Sequence, residues 1–213
     1  MQAFSTAVEA VGGCPRIWGF VDGTFRGFCR PAGSDEAQRA VYNGHKRQHG
    51  QQWQAIVTPD GLASSLCGPF LGTANDWMMW LESGCEDRLK QLMDHMEEPE
   101  WLFLYGDPAY RCTTGIMSPF SHPRGRRHLP LDEQAFNRSL SSARIAVENC
   151  FGRTQQLFSY MAFSKGLRSG SQPVAAYFAI AILLTNCHTC FHGNLISRRF
   201  KVDPPSIEAY LCI

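Results

Sequence analysis

The sequence predicts an α/β domain built on a mixed sheet that contains an antiparallel hairpin and is flanked by helices. Three observations carry this. Short apolar runs at 17–22 and 101–105 read as buried strands. The turn signal Pro59-Asp60-Gly61 separates strand-like runs at 51–58 and 62–67, which makes a hairpin. Phe136, Leu140, Ala143, Val147, Phe151, Thr154, Phe158 and Met161 fall at steps of three and four, marking one face of a long helix. Strands come early, a helical crossover leads to a further strand, and helices close the chain, so the sheet is mixed.

Composition bounds the remainder. A chain of 213 residues suits one domain with a real core. With 44% hydrophobic and 18% charged residues it is neither a disordered chain nor a polyelectrolyte. Nineteen Gly and twelve Pro without a period exclude a collagen-like repeat. The nine Cys are odd in number and dispersed, and no secretory signal precedes them, so they read as reduced intracellular thiols. The uncharged run 174–184 is only eleven residues. A bilayer span needs about 20, so it reads as a buried helix and no membrane is expected.

Each element follows from local pattern. The run 17–22 ends in Asp22-Gly23, with its polar group at the C-terminal end. Residues 75–96, rich in Leu, Met, Glu and Lys, read as one or two helices. The continuously apolar run 101–105 lies between Pro99 and Gly106 and is a central strand covered on both faces, leading to Asp107. Residues 111–131, with Pro119, Pro123, Gly125 and Pro130, read as loop. Asp132 is a candidate N-cap for the long helix, and Ser139 could cap a second one. Residues 166–173 form a linker, 174–191 a second helix, and the tail from Gly193 has little pattern. Cys187 and Cys190 form a lone C-x-x-C without a second pair and read as core thiols on one helix face.

The net charge of +1 hides a division. Residues 76–110 carry a net −7 and residues 111–170 a net +6. The total gives no globally basic surface, so any nucleic-acid role rests on local charge. The basic density peaks at His122-Pro-Arg124-Gly-Arg126-Arg127-His128, a surface that attracts phosphate if it is not simply a solvated face.

Two strands lead into acids, Asp22 and Asp107, and Glu148 lies one residue past the core position Val147. Three converging carboxylates repel unless cations bind, and hard divalent ions prefer oxygen ligands. Two such ions activate a water or hydroxyl and stabilise the leaving oxygen of phosphoryl transfer. Each acid also has a plain reading: a turn for Asp22-Gly23, a loop start for Asp107-Pro108, an i,i+4 pair with Arg144 for Glu148.

The segments VDGT (21–24), YNGHKRQHG (42–50), WQAIVTPDGL (53–62), GPFLGTANDW (68–77), GDPAY (106–110), SPF (118–120) and FNRSLSSARIAVENCFGRTQQLF (136–158) together resemble the DDE superfamily endonuclease domain of Harbinger-type transposases. The resemblance runs in order over most of the chain. It implies a ribonuclease-H-like fold, two Mg²⁺ or Mn²⁺ ions, and cutting and joining of DNA. By motif, the catalytic and metal-binding acids fall on Asp22, Asp107 and Glu148. His45, Lys46, Arg124, Arg126, Arg127 and Arg144 are candidates for contact with DNA. Asp76 lies in a recurrent family motif outside the triad and could cap the helix that follows. Similar segments usually carry His before that Asp, where this chain has Asn75, and Arg111 stands where Pro is common.

The expected organisation is an extension over 1–16, the endonuclease domain over 17–194 and a tail over 195–213. About twenty residues precede Asp22, too few for the helix-turn-helix region of autonomous members. That predicts a fragment, a shortened gene model, a decayed copy or a domesticated descendant, with a separate DNA-binding partner protein supplying targeting. Homo-oligomerisation is compatible with the family, and a nuclear location, with cytoplasm as well, follows from it. The alternative function is a non-catalytic DNA or protein interaction module that keeps the fold.

Overall fold

The computed structural model describes residues 1–12, 14–97, 100–121, 128–162 and 166–213. Helix α1 spans Gln2–Gly12 and strand β1 Ile17–Gly27. Helix α2 (Asp35–Ala40) and strand β2 (Tyr42–Asn43) lead into the hairpin of β3 (Gln48–Val57) and β4 (Ala63–Leu71). Helices α3 (Asp76–Glu82) and α4 (Cys85–Met93) cross to β5 (Phe103–Tyr105), followed by β6 (Ile116–Met117). The helices α5 (Leu131–Leu157), α6 (Val174–His192), α7 (Leu195–Phe200) and α8 (Ile207–Leu211) complete the chain.

The sheet runs β2-β3-β1-β5-β6, with β4 also paired to β3. Pairs β1/β3, β2/β3 and β3/β4 are antiparallel, while β1/β5 and β5/β6 are parallel. The expected mixed sheet with a hairpin and flanking helices is what forms. Both strands of the hairpin run longer than 51–58 and 62–67. At its turn the Thr58 hydroxyl donates to Asp60 Oδ1 at 2.6 Å and Leu62 N donates to the same oxygen at 3.2 Å. Gly61 takes the positive φ of 86° that closes it.

Two apolar layers cover the sheet. On one face Phe20, Trp53, Ala55, Val57 and Tyr105 meet Leu140, Ala143, Val147 and Phe151 of α5 and Phe178, Ala181 and Ile182 of α6. On the other, Val21, Ile56 and Leu104 meet Trp80 of α3 and Cys85, Leu89 and Met93 of α4. A bulge in β1 between Ile17 and Gly19 sets which face each later residue takes.

Helix α5 runs unbroken through Ser139, whose hydroxyl instead donates to the Gly12 carbonyl. Its N-cap is Pro130 without a side-chain bond, and Asp132 lies in the first turn, where it favours the helix dipole. Phe158 ends α5, and Met161 lies on a separate 3₁₀ turn, Ser159–Ala162. Residues outside 17–194 also reach the core: Val8 of α1 and Phe200 of α7 join the α5 layer. By length and composition α6 is the one helix among the described residues able to cross a membrane. It is buried on one side only: Asn186 there accepts from Ala63 N at 3.0 Å and donates to Ala63 O at 2.9 Å, while Ile180, Leu183, Leu184 and Phe191 are exposed. No disulfide joins cysteines among the described residues, and Cys187 and Cys190 are half-buried rather than core.

Candidate active site

The parallel ladder of β1 and β5 pairs Phe20 with Tyr105. Asp22 and Asp107 each stand two residues further along. Side chains alternate along a strand, so Asp22 falls on the α5 face with Phe20, while Asp107 lies two residues past the end of β5. Helix α5 buries Val147 and presents Glu148 beside it, at the rim of the same face. The Arg144 Nη1 donates to Asp22 Oδ2 at 3.0 Å and its Nη2 to Glu148 Oε1 at 3.1 Å. One guanidinium thus joins the strand acid to the helix acid. The side chains of Asp22 and Arg144 are mostly covered, and that of Glu148 is half exposed. Asp107 Oδ1 accepts from Ala109 N at 2.9 Å, which holds the start of its loop.

Asp22 is pushed up to about 6. Burial is the main cause, and the negative charges of Asp107 and Asp76 add to it. The Arg144 charge and the Gly23 amide act the other way without restoring the ordinary value. Asp76 is raised too, by burial and then by Asp107.

Asp76 arrives from the opposite face, at the first turn of α3. It comes close because Gly23 has no side chain: a Cβ there would collide with Asp76 Oδ1 and lie 2.9 Å from Met79 Cε. The cap of α3 is Asn75, whose Oδ1 accepts from Met78 N at 2.9 Å, so Asp76 is not the cap. Asn75 therefore has a structural task where similar segments carry His. Behind Asp76, Gln54 Nε2 donates to the buried Tyr110 hydroxyl at 3.0 Å and to Asp76 O at 3.4 Å.

An open groove of about 630 Å³ runs over these residues, lined by Asp22, Gly23, Asp76 and Glu148 on one side and Arg26, Lys46 and Gln52 on another. Lys46 is exposed on the turn before β3, where its amide donates to Asn43 Oδ1 at 2.9 Å. His45, also exposed, lines an adjoining cavity that shares Gln52 and Asp76. Arg144 bridges acids instead of facing outward as a free cation. Arg124, Arg126 and Arg127 lie outside the described residues.

A family model for the DDE superfamily endonuclease matches residues 21–186. The chain belongs to this family. No curated protein and no solved structure matches it. As a DDE endonuclease it belongs to a superfamily that normally uses divalent metals and would act on DNA.

The donors of this endonuclease's groove suit such ions, since all are hard carboxylate oxygens. Burial chiefly, and the neighbouring carboxylates after it, raise Asp22 and Asp76, and a cation would relieve the repulsive part. Among the described residues, however, no three His, Cys, Asp or Glu side chains close around one metal position. The reason is local: the Arg144 guanidinium stands between Asp22 and Glu148 and supplies the opposite charge there.

One participant is legible only in part and another not at all. Asp76 competes by motif as a fourth metal-site acid, but its approach depends on the missing side chain of Gly23. Arg26 lies past the run 17–22 and carries no sequence signal. It is 4% exposed, with Phe178 at 4.5 Å and Phe151 at 5.9 Å from its guanidinium carbon. Its Nη2 donates to Thr24 Oγ1 at 2.8 Å, and its Nε has no partner among the described residues. Burial lowers it to about 10, so it remains charged at neutral pH. No signal short of the folded sheet would have found it.

Proposed function

We propose that this chain is the catalytic domain of a Harbinger-type transposase that cuts DNA phosphodiester bonds and joins the ends to target DNA. The observation that carries this reading is the placement of Asp22 on β1 and of Asp107 just past the end of the adjacent parallel strand β5, with Glu148 tied to Asp22 through Arg144. An antiparallel unit of β1 to β4 continued by two parallel strands, with helices on both faces, supports a ribonuclease-H-like fold.

In this reading Asp22, Asp107 and Glu148 hold two Mg²⁺ or Mn²⁺ ions, and Asp76 offers a further oxygen. When bound, the ions supply Lewis-acid stabilisation of the phosphate and acidify the attacking hydroxyl. Arg144 orients the carboxylates of Asp22 and Glu148 and limits their repulsion. Lys46 and His45 at the groove mouth contact phosphates, as do Arg124, Arg126 and Arg127. Arg26 adds positive potential at the groove floor. These contacts position the DNA backbone without reading its sequence. A separate DNA-binding protein supplies targeting, and the site of action is the nucleus.

Nicking of supercoiled plasmid in Mn²⁺ tests the reading. The wild type converts plasmid to the open circle and Asp107→Ala does not. Equal nicking by both proteins would remove the assignment.

A second reading, a non-catalytic module that keeps the fold, is favoured by one observation: Arg144 already neutralises Asp22 and Glu148. Calorimetry separates the two. Saturable Mn²⁺ binding that disappears in Glu148→Gln counts against the second.

A further inference from the structure

Helix α5 carries a glycine at a point where its own packing asks for none. Gly152 lies inside Leu131–Leu157. A glycine within a helix loses more conformational freedom on folding than alanine does, and it weakens the helix. Close packing is the usual reason for one, as at Gly23. At Gly152 a Cβ would meet nothing within 4 Å.

Two hollows flank this residue. The acid groove reaches it from one side, where Phe151 and Gln155 also line the groove. On the other side a smaller cavity of about 130 Å³ is lined by Asn149, Gly152, Arg153 and Gln156 of α5 and by Leu195 and Ile196 of α7. Glu148 and Gly152 line both hollows and form the ridge between them. Glu148 Oε1 is taken up by Arg144, one turn towards the N-terminus. Gly152 follows Glu148 by one turn, about 5.4 Å. With no side chain there, the ridge dips to a saddle.

Arg153 is the cation of the smaller cavity. Its Nη2 donates to His188 Nδ1 on α6 at 3.1 Å. Arginine can only donate, so Nδ1 accepts and the imidazole is a neutral support. The Arg153 Nε is buried without a hydrogen-bond partner, and no carboxylate pairs with Arg153 among the described residues. A guanidinium held by a neutral group keeps its charge for an anion.

We propose that the cavity at Arg153 is a subsite for one phosphate of a DNA strand that runs from the acid groove across the Gly152 saddle. The inference takes its ligand from the nuclease reading and adds the path of the strand. A space of about 130 Å³ equals roughly four waters, which fits a phosphate group and not a nucleoside. Asn149 and Gln156 add amide donors beside Arg153. The strand passes close over α5 because no Cβ stands in its way. These contacts position the backbone and read no base.

Fluorescence anisotropy of a short labelled DNA single strand, with the full chain in EDTA, tests this. Gly152→Ala melts at or above the wild-type temperature, because the fold has no need of the glycine. Gly152→Met keeps its Tm but fills the saddle, and affinity falls about tenfold, as for the loss of one charge-assisted contact. Arg153→Gln reduces the slope of log affinity against log salt by about 0.7, the share of one phosphate on a single strand. Arg153→Lys keeps the slope, so the two Arg153 variants decide the matter even if Gly152→Met does not fold. A lower Tm for Gly152→Ala means that the glycine serves the fold, and the proposal fails. It fails as well if folded Gly152→Met binds like the wild type, if Arg153→Gln keeps the full slope, or if the wild type does not bind the strand. Binding is read without metal, so it is independent of cutting. A wild type that shows these differences but nicks no plasmid removes the nuclease reading and leaves the subsite standing.

Discussion

Asp22 on β1 and Asp107, just past the end of the adjacent parallel strand β5, each follow the Phe20–Tyr105 pair by two residues. Their charges are coupled, and Asp107 helps to hold Asp22 at about 6. Asp107→Asn therefore lowers the Asp22 titration toward its ordinary value of 3.8. Carbon-13 NMR of the Asp22 carboxyl reads this directly. An unchanged titration would show that the two acids do not share a field.

The same raised value makes a stability prediction. The folded protein holds a proton on Asp22 that the unfolded chain has released, between pH 3.8 and about 6. Stability contributed by the neutral form is thus present below the unfolded value and lost as pH rises through about 6. In EDTA, Asp22→Asn is more stable than the wild type at pH 7 by about 1–3 kcal/mol and equal to it below pH about 4. Urea unfolding at both pH values checks the sign. A variant less stable at pH 7 refutes it.

Arg144 predicts a response to metal. Arg144→Gln leaves Asp22 without its cation. With the pair partly exposed, the loss at pH 7 is about 1–3 kcal/mol, below the full cost of breaking a buried pair. Mg²⁺ then raises the Tm of the variant more than that of the wild type, because the competing guanidinium is gone. Thermal melts with and without Mg²⁺ measure the difference. Equal shifts argue against a cation site at Asp22.

How much of this was legible in the sequence differs by element. The hairpin announced itself through Pro59-Asp60-Gly61, and α5 through a stripe whose inner members, Leu140 to Thr154, are the buried ones. Helix α1 did not: Phe4, Val8 and Val11 fall at steps of four and three, but the stripe is short and only Ser5 and Val8 of its eleven residues are buried. Helix α7 hides in a patternless tail, yet Asn194 and Ser197 build a capping box and Ile196 and Phe200 anchor it. Strand β6 is two residues long, too short for any period. In the site, motif resemblance named Asp22, Asp107 and Glu148, and the fold set the first two beyond a shared ladder pair, Phe20 and Tyr105. The links among groups resisted reading because they are long-range: Arg144 reaches Asp22 across 122 positions.

Gly23 tests the approach of Asp76. Gly23→Ala places a methyl where Asp76 Oδ1 and Met79 Cε now lie. The fold loses about 1–3 kcal/mol through overpacking, Asp76 is displaced, and plasmid nicking falls. Gly166→Ala, at a position with nothing within 4 Å, is the control and leaves both unchanged. If Gly23→Ala nicks DNA as well as the control, the nearness of Asp76 to Gly23 does not matter to the reaction.

Arg26 separates binding from stability. It is a buried cation with aromatic neighbours and no carboxylate partner among the described residues, and it lines the groove. A buried charge that serves only the core can be replaced by an apolar side chain of similar length at little or no cost. Arg26→Met should therefore melt at or above the wild-type temperature. If Arg26 also neutralises a phosphate, the variant binds a short DNA duplex more weakly in EDTA, and the slope of log affinity against log salt falls by about 1. Fluorescence anisotropy over a salt series measures both quantities. An unchanged slope with unchanged stability would confine Arg26 to packing between Phe151 and Phe178.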